Sequence, residues 1–356
     1  MIDVTNRNRE TANQLRSIHF LTPEWTPCTV GLLPATWMRH RRALEEIVLA
    51  HPRIFPGYKR RKSDLDFDKV WSPTYELGRV RDAWGYVWEN VERGMEAYVT
   101  DHPLDDWSRM ETWRPPSPDV DHLGVPLVWE KLRERYARDR AAGSFASFGL
   151  PHGFMYMRLF YLRGFNNLMM DLAADDPRMH RLIDIVAGYN AAQVGRALDA
   201  GADFISGGDD LGMQTALPIS PAMWRRFLTP SYVRIFRPAH DRGATVFLHT
   251  DGHILEIIDD LISAGIHSVN PQIGANGLKG LQAFKGRIHI KLDLDRQQFP
   301  FRSPAWIGEH IREAYEALHD PRGGLAFSAE CGPDVPLANV EAICRTFEEI
   351  CRPPRP

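Results

Sequence analysis

Short, unbroken apolar runs such as Thr245 to Leu248 and Leu325 to Ala329 alternate along most of the chain with longer stretches in which apolar residues recur every three or four positions. The first pattern suits buried strands and the second amphipathic helices. From residue 143 onward this predicts strands at 144–148, 203–206, 244–248, 267–269, 287–292 and 325–329. Between and after them it predicts helices reaching 174 and at 176–200, 220–242, 253–264, 277–285, 304–319 and 336–351. Ser220 and Pro221 have the chemistry of a helix cap followed by a first-turn proline. Strand and helix take turns with no strand-to-strand hairpin, so the strands are expected to be parallel.

The first third reads differently. A helix is expected at 5–19, a short strand or turn at 25–31, a helix at 36–50 and an exposed loop at 51–68 carrying Lys59-Arg60-Arg61-Lys62. That cluster is either solvated surface or a contact for an anionic group. Trp84, Tyr86 and Trp88 alternate, as do Met95, Ala97 and Val99, around turn residues at 90–94, which predicts a β-hairpin; a helix follows at 125–142. The expected architecture is α/β, a single (β/α)8 TIM-barrel domain over 1–356 with an N-terminal helical and β-hairpin extension. In this reading 1–120 holds the embellishment and first strands, and 143–356 the regular repeats. A doubly wound sheet is the competitor. Polar residues at the ends of successive strands favour the barrel, where such ends surround one mouth: Asp209 and Asp210, His249 and Asp251, Asn270 and Gln272, Asp293 and Asp295, Glu330 and Cys331.

Charge narrows the partners. With 43 basic against 46 acidic residues and a formal net charge of −3, nothing suggests a surface for polyanions, so nucleic acid is not expected. No run reaches the roughly 18–20 apolar residues of a membrane span, and the polar start of the chain does not resemble a secretory signal. Four cysteines without a CxxC pair argue against a disulfide framework and for a reducing, cytoplasmic setting.

His249 and Asp251 sit two apart, so in extended chain their side chains point to one side. With Cys331 they would form a three-donor N/O/S set, and a catalytic zinc takes three protein ligands plus an open position. The same residues also suit plainer roles: His249 bonding a backbone carbonyl, Asp251 capping the next helix, and Cys331 as an inert buried thiol. Asp209 and Asp210 would grip substrate, bind a proton or orient a metal ligand, or else cap the loop. His152 would face the mouth or pack in the core. Lys291 would pair with Asp293 or snorkel. Dinucleotide, Walker, zinc-protease and serine-hydrolase motifs are absent.

The segments Gly208-Asp209-Asp210-Leu211-Gly212-Met213-Gln214, Ile219-Ser220-Pro221, His249 to Gly252, Val269-Asn270-Pro271-Gln272, Asp295-Arg296-Gln297 with Pro300-Phe301, and Pro336 to Val340 together resemble the uroporphyrinogen decarboxylase superfamily, in particular its corrinoid-dependent methyltransferase branch. The resemblance implies a TIM barrel with its site at the C-terminal mouth. It also implies a zinc held by an H-x-C pair and a later Cys, opposite a corrinoid (cobalamin) on a separate protein. His249 and Cys331 match that pattern, Asp251 stands where the family has Cys, and Glu330 is a further candidate ligand. Asp293 stands where relatives commonly carry a Gly pair, which narrows the mouth.

On this reading Asp209, Asp210 and Asp293 are the catalytic candidates. His152, Gln214, Asn270, Gln272, Lys291 and Asp295 are the substrate- or cofactor-binding candidates. The implied activity is zinc-dependent methyl transfer between a small methylated substrate or thiol and a corrinoid protein, which must be a separate partner because no D-x-H-x-x-G sequence occurs. The alternative is a metal-free decarboxylase of a porphyrinogen-like or other carboxylated substrate, whose N-terminal Arg-rich motif is not recognisable here. Nothing decides between a monomer and a homodimer.

Overall fold

In the computed structural model, which describes residue 2 and residues 4–351, the apolar runs become strands and the periodic stretches helices. In chain order the elements are α1 (Arg9–Ile18), β1 (Cys28–Leu32), α2 (Pro34–Ala50), β2 (Gly78–Arg81), β3 (Val87–Asn90), β4 (Tyr98–Asp101), α3 (Trp129–Ala141) and β5 (Ser147–His152). There follow α4 (Tyr156–Arg163), α5 (Phe165–Ala173), α6 (Pro177–Ala200), β6 (Phe204–Gly208), α7 (Pro221–Phe227), α8 (Thr229–Asp241), β7 (Thr245–His249), α9 (Ile258–Ser263) and β8 (Ser268–Asn270). The chain closes with α10 (Ile273–Asn276), α11 (Leu278–Gln282), β9 (His289–Asp293), α12 (Pro304–Leu318), β10 (Leu325–Cys331) and α13 (Leu337–Ile350). Among the described residues no helix is long and apolar enough to cross a membrane.

The chain packs as two units. The first comprises Met1–Leu15, Val80–Trp88 and Val99–Pro271. Its strands run parallel in the order β5-β6-β7-β8, each joined to the next through helices. Val246 and Leu248 of β7 are fully buried while Phe247 and His249 are half-exposed, the alternation expected of a strand with one face on helices. Burying each such aliphatic side chain contributes roughly 1.5–3 kcal/mol.

The second unit comprises Arg16–Arg79, Glu89–Tyr98 and Gln272–Pro356, with parallel strands in the order β1-β10-β9. Phe327 of β10 packs on Phe347 of α13, ring centroids 5.8 Å apart, so Phe327, Ala329 and Cys331 face the helices. Ser328 and Glu330 therefore face the other way, beside Asp293 on β9 and Gly31 on β1 respectively.

Four expectations need correction. The one helix expected to reach 174 is two, α4 and α5, broken at Gly164 (φ +75°). The strand placed at 144–148 begins later, at Ser147, because the Ala146 N–H is taken by the Asp203 carboxylate (2.9 Å) rather than by a neighbouring strand. The single helix expected at 220–242 is two, because Pro230 lacks an N–H and its ring disfavours helical backbone just before it; Ser220 does cap α7 through the Met223 N–H (3.2 Å). The hairpin expected at 82–99 is instead a three-stranded sheet, β2-β3-β4. Trp84, Tyr86 and Trp88, at alternate positions as expected, are all buried, Trp84 beneath the Arg158 guanidinium (4.6 Å) and Trp88 against Tyr161 (5.2 Å).

His289 opens β9 and is only 3% exposed, and burial, helped by the charges of Lys291 and His19, pulls its imidazole down to about 3. Its pKa is depressed on folding, so from pH about 6.5 downward the unfolded chain takes up a proton that the folded chain refuses, and stability falls as the pH falls. Urea unfolding at pH 7, 6 and 5 should show the advantage of the wild type over His289→Asn shrinking by about 0.7 kcal/mol between pH 7 and 6 and by about 1.2 kcal/mol between pH 6 and 5. Superimposable pH dependences for the two proteins would contradict the assignment.

Candidate functional site

The register of the first unit lines up four residues across four strands: His152 on β5 beside Gly208 on β6, Gly208 beside His249 on β7, and His249 beside Asn270 on β8. Gly208 makes the row possible. A Cβ there would lie 2.6 Å from His152 Cδ2 and 3.4 Å from His249 Cδ2, so its absence creates the cradle into which both imidazoles lean, ring centroids 5.5 Å apart. His249 Nδ1–H donates to Asn270 Oδ1 (2.6 Å), which leaves the Nε2 lone pair facing the site. Asp210 fills the space between the rings, with Oδ1 3.1 Å from His152 Nε2 and 3.8 Å from His249 Nε2.

The loops that follow β6 and β7 hold this arrangement by running side by side. The N–H groups of Asp209 and Gly212 donate to the carbonyls of His249 (3.0 Å) and Asp251 (3.2 Å), that of His253 to Met213 (2.8 Å), and that of Leu211 to Thr250 Oγ1 (3.1 Å). Gly252, at φ +82°, meets Gly212 backbone to backbone, a conformation and an approach that a side chain would block. The Asp251 N–H then reaches Asp210 Oδ1 (3.1 Å), while the Asp210 N–H rests on Met157 Sδ (3.2 Å).

The adjacent carboxylates have opposite fates. Asp209, expected as a catalytic candidate, is completely buried. It accepts from the N–H groups of Tyr156 (2.5 Å) and Met157 (2.8 Å) at the start of α4 and from the Tyr232 hydroxyl of α8 (2.5 Å). Burial pushes its carboxyl up to about 6 against the pull of these donors, and the three hydrogen bonds make it a tie between β6, α4 and α8. For Asp210, burial also pushes upward, but the hydrogen bond and charge of His152, the charge of His249 and the Asp251 N–H outweigh it and hold the group below its ordinary value. Asp210 is thus an anion between two imidazoles.

His152, Asp210 and His249 offer three ligand-type atoms, all within 4.8 Å of one another. Two donors bound tetrahedrally to zinc at about 2.0–2.1 Å lie about 3.4 Å apart, and the 3.1 and 3.8 Å separations bracket that value. The donor set, the anchored His249 and the Gly208 cradle fit a divalent cation. His249 keeps the place the sequence suggested. Asp251 stands beside it, Oδ1 3.6 Å from Nε2, but is outside the three-atom cluster.

Cys331, expected as a thiolate ligand or else as an inert buried thiol, lies on the helix-facing side of β10, fully buried, and burial, with help from Glu330 and Asp334, pushes its thiol up to about 12. Its carbonyl accepts from the Thr36 hydroxyl (2.7 Å). Glu330 points the opposite way and is held by Arg296 Nη1 (2.9 Å), which also lies 4.0 Å from buried Asp293. Lys291 shares the Asp293 face of β9, and burial lowers its ammonium against the opposing pull of Asp293. The Gln272 carbonyl accepts from Asn276 Nδ2 (2.9 Å), the Asp295 carboxylate lies against Gly274, and Gln214 is exposed. Sequence reasoning missed Gly208 as the spacer and Tyr232 as the Asp209 partner. The strand-end position of Gly208 was a usable signal, whereas Tyr232 sits in an ordinary amphipathic helix that gives none.

Two substitutions separate support from chemistry. Asp209→Ala should cost about 3 kcal/mol in urea unfolding, because three donors lose their acceptor, whereas Asp210→Asn should stay within about 1 kcal/mol of wild type. Gly208→Ala should leave the circular dichroism spectrum native while shifting the ring signals of His152 and His249 in NMR; unchanged signals would show that the cradle is roomier than described.

Several known proteins are similar to this chain. A methyltransferase from Methanosarcina mazei aligns over 96% of this chain and 98% of its own, with TM-score 0.62 and 17% identity. A B12-independent methionine synthase from Shewanella sp. W3-18-1 covers 62% of this chain and 66% of its own at TM-score 0.40 and 11% identity. A dihydropteroate synthase from Xanthomonas albilineans covers 43% and 58% at TM-score 0.29 and 20% identity. No curated protein matches by sequence. The first likeness shows the fold, the TIM-barrel type expected from the strand-end pattern, here with seven parallel strands among the described residues. The uroporphyrinogen decarboxylase (URO-D) model matches residues 90–350, well over half of the sequence, and the chain belongs to that family.

Proposed function

We propose that this protein is a zinc-dependent methyltransferase that moves a methyl group between a small methylated substrate, or a thiol acceptor, and a corrinoid carried by a partner protein. The observation that carries the reading is the row on which His152, Asp210 and His249 converge around the Gly208 cradle. The likeness in fold to the Methanosarcina mazei methyltransferase along nearly the whole chain supports it. The proposed ligands are His152, Asp210 and His249, two nitrogens and one oxygen, a borderline set that suits zinc.

When bound, the cation supplies Lewis acidity toward the methyl-bearing or thiol group and the corrinoid supplies the cobalt centre that exchanges the methyl. The chain's own residues prepare the site. Asn270 keeps the His249 proton on Nδ1 and so keeps Nε2 a donor of electrons. Asp210, held as an anion, neutralises charge gathered between the rings, and the Asp251 N–H fixes its Oδ1. The paired loops after β6 and β7 spare the site the cost of ordering when substrate arrives.

Protein purified without chelator should contain about one zinc per chain and should transfer methyl groups from small methylated compounds to cob(I)alamin. His152→Ala and His249→Ala should lose both properties, Asn270→Ala should weaken metal binding about 10–100-fold, and Cys331→Ser should retain the metal. Loss of metal in Cys331→Ser with retention in His152→Ala would sink the ligand set. Metal-free protein that decarboxylates uroporphyrinogen would sink the function.

A further inference from the structure

The Lys59-Arg60-Arg61-Lys62 cluster is not used by the proposed reaction, and within the second unit it borders a cavity of about 470 Å³. That volume lies in the range of small-molecule sites, roughly 300–1,000 Å³. The lining includes four cations, Arg60, Arg61, Lys62 and Lys69, against one carboxylate, Asp66, with Trp37 and Trp71 as aromatic walls.

The cavity is built rather than incidental. Glu45 of α2 is completely buried beneath it and accepts from the Arg61 N–H (2.6 Å), the Tyr58 hydroxyl (3.0 Å) and Arg42 Nη1 (2.7 Å). Arg42 Nη1 also donates to the Arg61 carbonyl (2.9 Å), and Arg41 reaches the Asp64 carbonyl (3.1 Å) and the Asp68 carboxylate (2.8 Å). Arg41 stands at a kink that divides α2, at φ +44° and ψ −123°, a strained conformation for a non-glycine residue that the surrounding bonds must enforce. The Arg61 guanidinium lies 4.0 Å over the Trp37 ring, whose plane is within 8° of that of Tyr58.

The cations are not equally engaged. Arg60 is held by both oxygens of Glu46 (2.6 and 2.9 Å), and Lys69 by Asp66 (2.7 Å). Arg61 gives Nε to the Tyr58 hydroxyl and Nη1 to the Asp66 carbonyl, but Nη2 donates to no described residue. Lys62 makes no ion pair among the described residues. Trp71 is 61% exposed, leaning on Tyr75 at a centroid distance of 5.3 Å. What remains unspent is a guanidinium edge, an ammonium and an indole around one concavity, which is a complement for a flat ring bearing an anion.

We propose that this cavity binds a small aromatic acid, one or two rings carrying a single carboxylate or phosphate, with the anion on Arg61 Nη2 and Lys62 and the ring against Trp71. The site does not rest on the methyltransferase reading, and its test needs no metal. Isothermal titration of the full chain, pretreated with chelator, with benzoate, phenyl phosphate, cyclohexanecarboxylate and benzyl alcohol separates the contributions. Benzoate or phenyl phosphate should bind saturably at one site per chain, with cyclohexanecarboxylate and benzyl alcohol each about tenfold weaker or undetectable. Lys62→Gln and Trp71→Ala, both at exposed positions, should each weaken binding about fivefold or more while leaving the unfolding midpoint unchanged. Absence of saturable binding, equal affinity for the neutral or non-aromatic probe, or binding unaffected by both substitutions would overturn the proposal.

Discussion

The Asp209 carboxylate is the constraint on which the candidate site depends. It is buried, yet its three donors come from the start of α4 and from α8, so one group at the end of β6 fixes two helices to the sheet. A buried carboxylate is tolerated only when donors surround it. Because Asp209 turns inward to meet them, Asp210 is left facing the two imidazoles. Neither residue's role could be exchanged with its neighbour without rebuilding the loop.

Periodicity made most of the architecture legible in the sequence, because alternating βα units have a strong local signature. The strand around His249 and the helices 177–200 and 304–318 emerged close to their expected limits. The ends of the elements were harder, since they depend on particular side chains such as Asp203 capturing the Ala146 N–H. His249, Asp210 and Asn270 were recognisable as site residues from their positions at strand ends, and His152 as a candidate for the mouth. That His152 and Asp210 meet His249 was not, because the row joining His152, Gly208 and His249 is set by strand register, which no local pattern encodes.

For Cys331 it is the direction along its own strand that the sequence left open. The side-chain period of a strand is two, so a shift of one position reverses every direction, and Phe327 packing on α13 fixes Cys331 on the helix side with Glu330 on the other. The face of the second unit that Glu330 joins is a band of paired charge, with Arg296 beside Glu330 and Asp293, and Lys291 on the neighbouring strand position. Those residues were individually visible as strand-end polar groups. Their mutual pairing was not.

The sulfur that does reach the His152 and Asp210 cluster belongs to Met157, whose thioether accepts the Asp210 N–H. A thioether does not ionise and forms no disulfide, but peroxide converts it to a sulfoxide, a larger and strongly polar acceptor. Oxidative damage to this cluster would therefore begin at the partly exposed Met157. It would tighten the grip on the Asp210 backbone while crowding the space beside it, and it would be reversible by methionine sulfoxide reduction.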